Sequence, residues 1–115
     1  MSKKTCLYFT TDLMFTSRVQ PIATESGYEL KFPGFEDSSF ESAVDLVIFD
    51  LGCVSGEEIE NAMVQLRAHQ NPVPTTVAYG PHVKKELLAT AEEKGVQLIW
   101  TRGQFSQQFP SLFAN

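Results

Sequence analysis

Basic clusters are missing from this chain: no run of Lys and Arg is longer than the pairs Lys3-Lys4 and Lys84-Lys85, and acids outnumber bases 14 to 9. A formal charge of −5 offers a phosphate backbone little to attract it, so nucleic acid is excluded as an expected partner. No apolar run approaches the ~18 residues of a membrane span, and the Met-Ser-Lys-Lys start leads into no signal-peptide cleavage pattern. A cytoplasmic protein with no membrane partner is expected. The two cysteines, Cys6 and Cys53, lack the paired spacings of metal sites and disulfide frameworks, and both are expected to be reduced thiols. Gly52, Gly56 and Gly80 make neither a G-x-G-x-x-G fingerprint nor a Walker loop, and there is no nucleophile elbow. An enzyme or cofactor binder is therefore the least favoured reading.

What is present is a β/α alternation. Strand-length apolar runs fall at about 5–10, 28–32, 45–50, 75–79 and 96–101, and most intervals between them have helical spacing. The clearest helix is expected over 56–69, where Ser55 and Glu58 form a capping box ahead of Ile59, Ala62, Met63 and Leu66. A helix over 82–94 is expected to start from Pro81, turn Val83, Leu87, Leu88 and Ala91 inward, and stop at Gly95. A first helix over 13–26, with Phe15, Val19, Ile22 and Ala23 on one stripe, is interrupted by Pro21 and should be kinked or split. Residues 32–43, with Phe32, Phe35 and Phe40 interleaved among Pro33, Gly34 and polar residues, offer at most one short helix. A short closing helix over 104–112 carries Phe105, Phe109 and Leu112. Continuous apolar runs such as Val47-Ile48-Phe49 suit a sheet covered by helices on both faces. The fold class is then α/β, a three-layer α/β/α sandwich forming a single domain over 1–115, too short for two comfortable domains.

In parallel sheets of this kind ligands bind outside the carboxyl ends of the strands. The residues expected there are Asp12 after the first inner strand, Asp50 after the third, Tyr79 and Gly80 after the fourth, and Thr101 and Arg102 after the fifth, with His82 close by. Asp50 closes the run Asp45-Leu46-Val47-Ile48-Phe49-Asp50. In order and spacing, including the 38 positions between Asp12 and Asp50, the chain resembles the receiver domains of two-component response regulators over nearly its whole length. The resemblance implies a five-stranded parallel sheet of flavodoxin-like order 2-1-3-4-5, with Asp50 at the phospho-acceptor position. It also implies Mg²⁺ held by Asp12, Asp50 and the carbonyl of Gly52, provided the pocket is live.

Three positions depart from the receiver pattern. Thr11 stands where receivers carry a second acid, Tyr79 replaces a small hydroxyl residue, and Arg102 replaces a lysine. Ile99 stands where many receivers have an aromatic switch residue. Read from the residues alone, Asp12 caps the first helix and Asp50 is a strand-end acid paired with Arg102, which could equally hold Asp12. On the same terms Tyr79 and Trp100 pack in or near the core, His82 faces solvent, and burial accounts for most of Leu13-Met14-Phe15. Some of Phe32, Phe35, Phe40, Phe109 and Phe113 exceed what a small sheet must bury and suit a partner.

The leading expectation is a stand-alone, degenerate receiver-like module that binds an unidentified protein partner. It needs no cofactor, it is not an enzyme, and its phosphorylation pocket is wholly or partly impaired. The alternative keeps the pocket live, with Asp50 accepting phosphate from a histidine kinase and Asp12 helping to hold Mg²⁺. A small flavodoxin-like enzyme or cofactor binder comes third.

Overall fold

Period-two burial and continuous apolar runs organise the chain into one sheet. The computed structural model describes residues 3–33 and 43–114. Within them β1 (Lys4–Phe9), β2 (Tyr28–Lys31), β3 (Leu46–Asp50), β4 (Thr75–Gly80) and β5 (Leu98–Thr101) pair in parallel in the order β2-β1-β3-β4-β5. The strand order is the one the resemblance implies. Four helices cover the sheet: α1 (Leu13–Glu25), α2 (Gly56–His69), α3 (Lys85–Glu93) and α4 (Arg102–Phe113). None of these helices is long and apolar enough to cross a membrane.

Because successive strand side chains point to opposite faces, the inner strands feed two separate cores. Leu7, Phe9, Val47, Phe49 and Ala78 pack with α2 and α3 residues such as Ile59, Met63, Leu66 and Ala91. Cys6, Tyr8, Leu46, Ile48, Val77 and Tyr79 pack with Phe15, Val19 and Ala23 of α1 and Phe105, Phe109 and Phe113 of α4. Asp50 has the parity of Leu46 and Ile48 and lies in register with Tyr79, which puts it at the strand ends on the α1/α4 side.

Helix α2 spans the expected residues, and both halves of its capping box form. The other helices depart from expectation in ways that local chemistry explains. Helix α1 is a single continuous helix with Pro21 inside it, not two pieces. Pro21 is exposed, so the carbonyl it leaves unpaired faces water, while Phe15, Val19 and Ala23 anchor both sides of it. Helix α3 begins at Lys85, because none of His82, Val83 and Lys84 supplies a capping oxygen and Pro81–Lys84 forms a turn, with Lys84 N donating to the Pro81 carbonyl at 2.9 Å. Val83 is consequently 72% exposed, where an inward position was expected. Gly95, at φ +96°, follows the C-cap in the left-handed region that glycine favours.

Helix α4 starts at Arg102, two residues earlier than expected, because Thr101 and Gln104 form a reciprocal capping box. Leu13 and Met14 are 79% and 80% exposed, so burial accounts only for Phe15 in that run. The short helix considered between residues 32 and 43 lies mostly outside the described residues, as do Phe35 and Phe40.

Candidate functional site

The first turn of α1 and the β3–α2 turn meet at the carboxyl edge of the sheet. Asp50 is 2% exposed, and its oxygens are met by the chain's own donors. Thr10 Oγ1 donates to Asp50 Oδ2 at 2.7 Å, Cys53 Sγ lies 3.3 Å from the same oxygen as a second, weaker donor, and Gly52 N donates to Oδ1 at 2.9 Å. A Cβ on Gly52 would lie 3.2 Å from Asp50 Oδ1, so glycine permits this close approach. The Asp50 carbonyl also accepts from Cys53 N and Val54 N, at 2.9 and 3.1 Å, which fixes the turn that brings these donors round.

Thr10 is the link to α1. Its hydroxyl oxygen accepts from Asp12 N at 2.9 Å while donating to Asp50. Asp12 is the N-cap: its Oδ1 accepts from Met14 N at 2.9 Å and Phe15 N at 3.4 Å. Its other oxygen, Oδ2, pairs with Arg102 Nη2 at 3.2 Å, and the Arg102 guanidinium lies 5.0 Å from the Phe15 ring centroid. Of the two carboxylates that Arg102 was expected to hold, Asp50 or Asp12, it pairs with Asp12. The start of α4 at Arg102 sets that side chain beside the first turn of α1, while Asp50 sits enclosed by Thr10, Gly52 and Cys53.

Thr11 is exposed and turns to Cys53, with Thr11 N and Oγ1 at 3.5 and 3.3 Å from the sulfur. Tyr79 is fully buried. Its ring stacks on Phe105 at 4.0 Å and its hydroxyl meets that of Tyr8 at 2.6 Å. Burial pushes both phenols well above the ordinary tyrosine range, and the nearby Asp50 charge pushes the same way. Gly80 is buried at the end of β4, where a Cβ would meet Leu51 at 3.0 Å. His82 is exposed in the turn beyond, and no hydrogen bond or ion pair joins it to the Asp50 cluster among the described residues. The structure thus brings together Asp50, Gly52, Thr11 and Asp12, tied to Arg102, and leaves His82 apart.

Thr10 and Cys53 are the participants that the sequence reading passed over. A hydroxyl at a strand end directly before a capping Asp, and a thiol three positions after a strand-end acid, were the signals available for them.

No protein-family model matches the chain, and no curated protein does. Solved structures do. A response regulator from Thermotoga maritima superposes with a TM-score of 0.69 at 12% identity, covering 98% of this chain and 99% of the other. A receiver domain protein from Methanospirillum hungatei gives 0.68 at 15%, covering 96% and 94%. The fold is that of response-regulator receiver domains. A third receiver-fold structure, from a Pseudomonas aeruginosa sensor histidine kinase, has magnesium coordinated in its active-site cleft and gives 0.65 at 12%, covering 99% and 100%.

The donor set fits such an ion poorly here. Among the described residues no three His, Cys, Asp or Glu side chains form a group that could hold a metal. Every oxygen of Asp12 and Asp50 already accepts a hydrogen bond, and the Arg102 cation sits at the Asp12 carboxylate, where a divalent ion would have to compete with it.

Proposed function

We propose that this chain is a receiver-fold signalling module that acts in the cytoplasm by binding a partner protein, with Asp50 serving as a structural anchor and not as a phospho-acceptor. The observation that carries this reading is the enclosure of the Asp50 carboxylate by Thr10, Gly52 and Cys53 at 2% exposure. Phosphoryl transfer to a carboxylate requires an accessible oxygen lone pair in line with the donor, and cations to neutralise the charge on the transferring group. Here Oδ2 would have to give up its Thr10 hydrogen bond to attack. Arg102, the cation that stands in the receiver lysine position, is engaged by Asp12. Tyr79, which replaces the small hydroxyl residue after β4, is buried with its hydroxyl against that of Tyr8 at 2.6 Å.

An enzymatic role finds no support in this cluster: its thiol contacts hydroxyls, an amide and a carboxylate, with no basic side chain bonded to it among the described residues. The live-pocket alternative is favoured by the position of Asp50 at the end of β3 and by the magnesium in the Pseudomonas aeruginosa structure.

A titration with Mg²⁺, followed through the backbone amide signals of residues 10–12 and 50–53, tests the cation half of the proposal. Shifts linear in Mg²⁺, without saturation at millimolar concentrations, are expected. A saturable site centred on Asp12 and Asp50 would favour the live pocket.

A further inference from the structure

The edge of the sheet opposite Asp50, where β2, β3, β4 and β5 begin and α4 ends, holds a cavity of about 270 Å³. Leu46, Leu98 and Leu112 supply its apolar walls, and the rings of Tyr28 and Trp100 line it beside them. An apolar cavity of ~150 Å³ takes benzene, so this one has room for a ring and a short arm. Its polar groups lack partners. Tyr28 is only 8% exposed, yet its hydroxyl makes no hydrogen bond among the described residues, and neither does the Trp100 indole N–H. Such groups ordinarily find a partner when buried. Burial pushes the Tyr28 phenol above its usual range and the Asp45 charge pushes the same way, so that carboxylate lies near the hydroxyl. Asp45 lines the same cavity. Its Oδ2 accepts from Thr5 N at 2.9 Å, while Oδ1 has no hydrogen bond or ion pair among the described residues.

The lining favours a cation. Asp45 is its one formal charge, and the last turn of α4, which contributes Ser111 and Leu112, has no basic side chain to offset the partial negative charge of its terminal carbonyls. Lys4 does not line the cavity: its ammonium rests on the Tyr28 ring, 5.7 Å from the centroid, and makes no ion pair with Asp45. We propose that this cavity binds a small arylalkyl ammonium ion, whose ammonium donates to Asp45 Oδ1 and the Tyr28 hydroxyl while its ring packs on Leu46, Leu98, Leu112 and Trp100. An occupant so placed ties the start of β3 to the last turn of α4. It leaves the Asp50 cluster at the other edge untouched, so the site stands apart from the partner-binding reading above.

Trp100 is the chain's only tryptophan, so its fluorescence reports on the cavity directly. The probe is 2-phenylethylammonium, titrated into the full chain beside 2-phenylethanol and phenylacetate, which keep the ring and change the charge. A saturable change in Trp100 emission, in the millimolar range or below, is expected for the ammonium, with amide shifts gathered on Tyr28, Asp45, Leu98, Trp100 and Leu112. The alcohol should bind about tenfold more weakly, and phenylacetate not at all. Asp45→Asn keeps an acceptor for Thr5 N and should weaken binding of the ammonium by about tenfold, erasing its advantage over the alcohol. Ser111→Phe, at an exposed helix position, should fill part of the cavity and abolish binding, which keeps the test decisive if Asp45→Asn unfolds the chain. Equal binding of the three probes, tighter binding of phenylacetate, shifts elsewhere or no saturation would each overturn the proposal, as would an Asp45→Asn chain that binds the ammonium unchanged.

Discussion

One face of the sheet is packed by aliphatic side chains, the other by rings. Under α2 and α3 the core is mainly Val, Leu, Ile, Ala and Met with the stacked pair Phe9 and Phe49. Under α1 and α4, Phe105 touches the rings of Tyr8, Phe15, Tyr79, Trp100 and Phe109, and the two tyrosine hydroxyls hydrogen-bond to each other inside the core. The aliphatic side holds by non-directional burial, whereas the aromatic side adds ring geometry and paired polar atoms that fix its arrangement. Asp50 lies on the aromatic side. Its donors come from Thr10, just before α1, and from Gly52 and Cys53 in the turn that leads to α2, so a change in its hydrogen bonds is felt at both.

Removing the hub of the aromatic side should break the contrast most sharply. Phe105→Ala is expected to cost about 3–5 kcal/mol in urea unfolding, and to perturb α1 signals as well as α4. Leu66→Ala on the aliphatic side, at about 2–5 kcal/mol, should leave the α1 signals in place. Thr10→Val comes next. It keeps the shape of the side chain and strips the buried Asp50 Oδ2 of its closest donor, for an expected loss of about 1–3 kcal/mol; a neutral result would detach the site from the core.

Tyr79→Phe should cost about 1 kcal/mol near neutral pH, because the Tyr8 hydroxyl loses its partner. Its effect should change with alkaline pH. Both folded phenols titrate above the ordinary ~10, so the folded chain retains protons that the unfolded chain releases. Their contribution is whole below about pH 10 and is lost as pH rises beyond it, at up to about 1.4 kcal/mol per unit for each phenol. Denaturation curves from pH 9 to 11.5 should fall less steeply for Tyr79→Phe than for the parent chain. The smallest effect is expected on the other side: Lys94 and Glu60 pair at 3.2 Å with side chains 27% and 59% exposed. Glu60→Gln should change stability by less than about 1 kcal/mol, and less still in high salt.

Much of the fold could be read from hydrophobic period and caps. The strand runs, the Ser55 capping box and the Gly95 stop all lie where their local chemistry places them. Less legible were features decided by competition between local signals. Pro81 promised a helix start, but the three residues after it offered no capping oxygen, and Pro21 promised a break that its exposed position made tolerable. Thr101 and Gln104 did carry the capping-box pattern, which the polar Arg102-Gly103 pair between them obscured.

In the site, the strand-end positions of Asp12, Asp50 and Tyr79 followed from the alternation, and the capping role of Asp12 from its residue type, but the partners of Asp50 did not. Thr10 and Cys53 reach Asp50 only because two turns close on each other, a contact with no periodic signature. Arg102 is drawn to Asp12 for a similar reason: the start of α4 at Arg102 brings it beside the first turn of α1.

The central claim is that Asp50 anchors the site and does not accept phosphate. Incubation with acetyl phosphate and Mg²⁺, read by intact mass for the parent chain beside Asp50→Asn, tests it most directly. No phosphoryl adduct on either protein is the outcome expected; a stoichiometric adduct on the parent chain that is absent from Asp50→Asn would contradict the account.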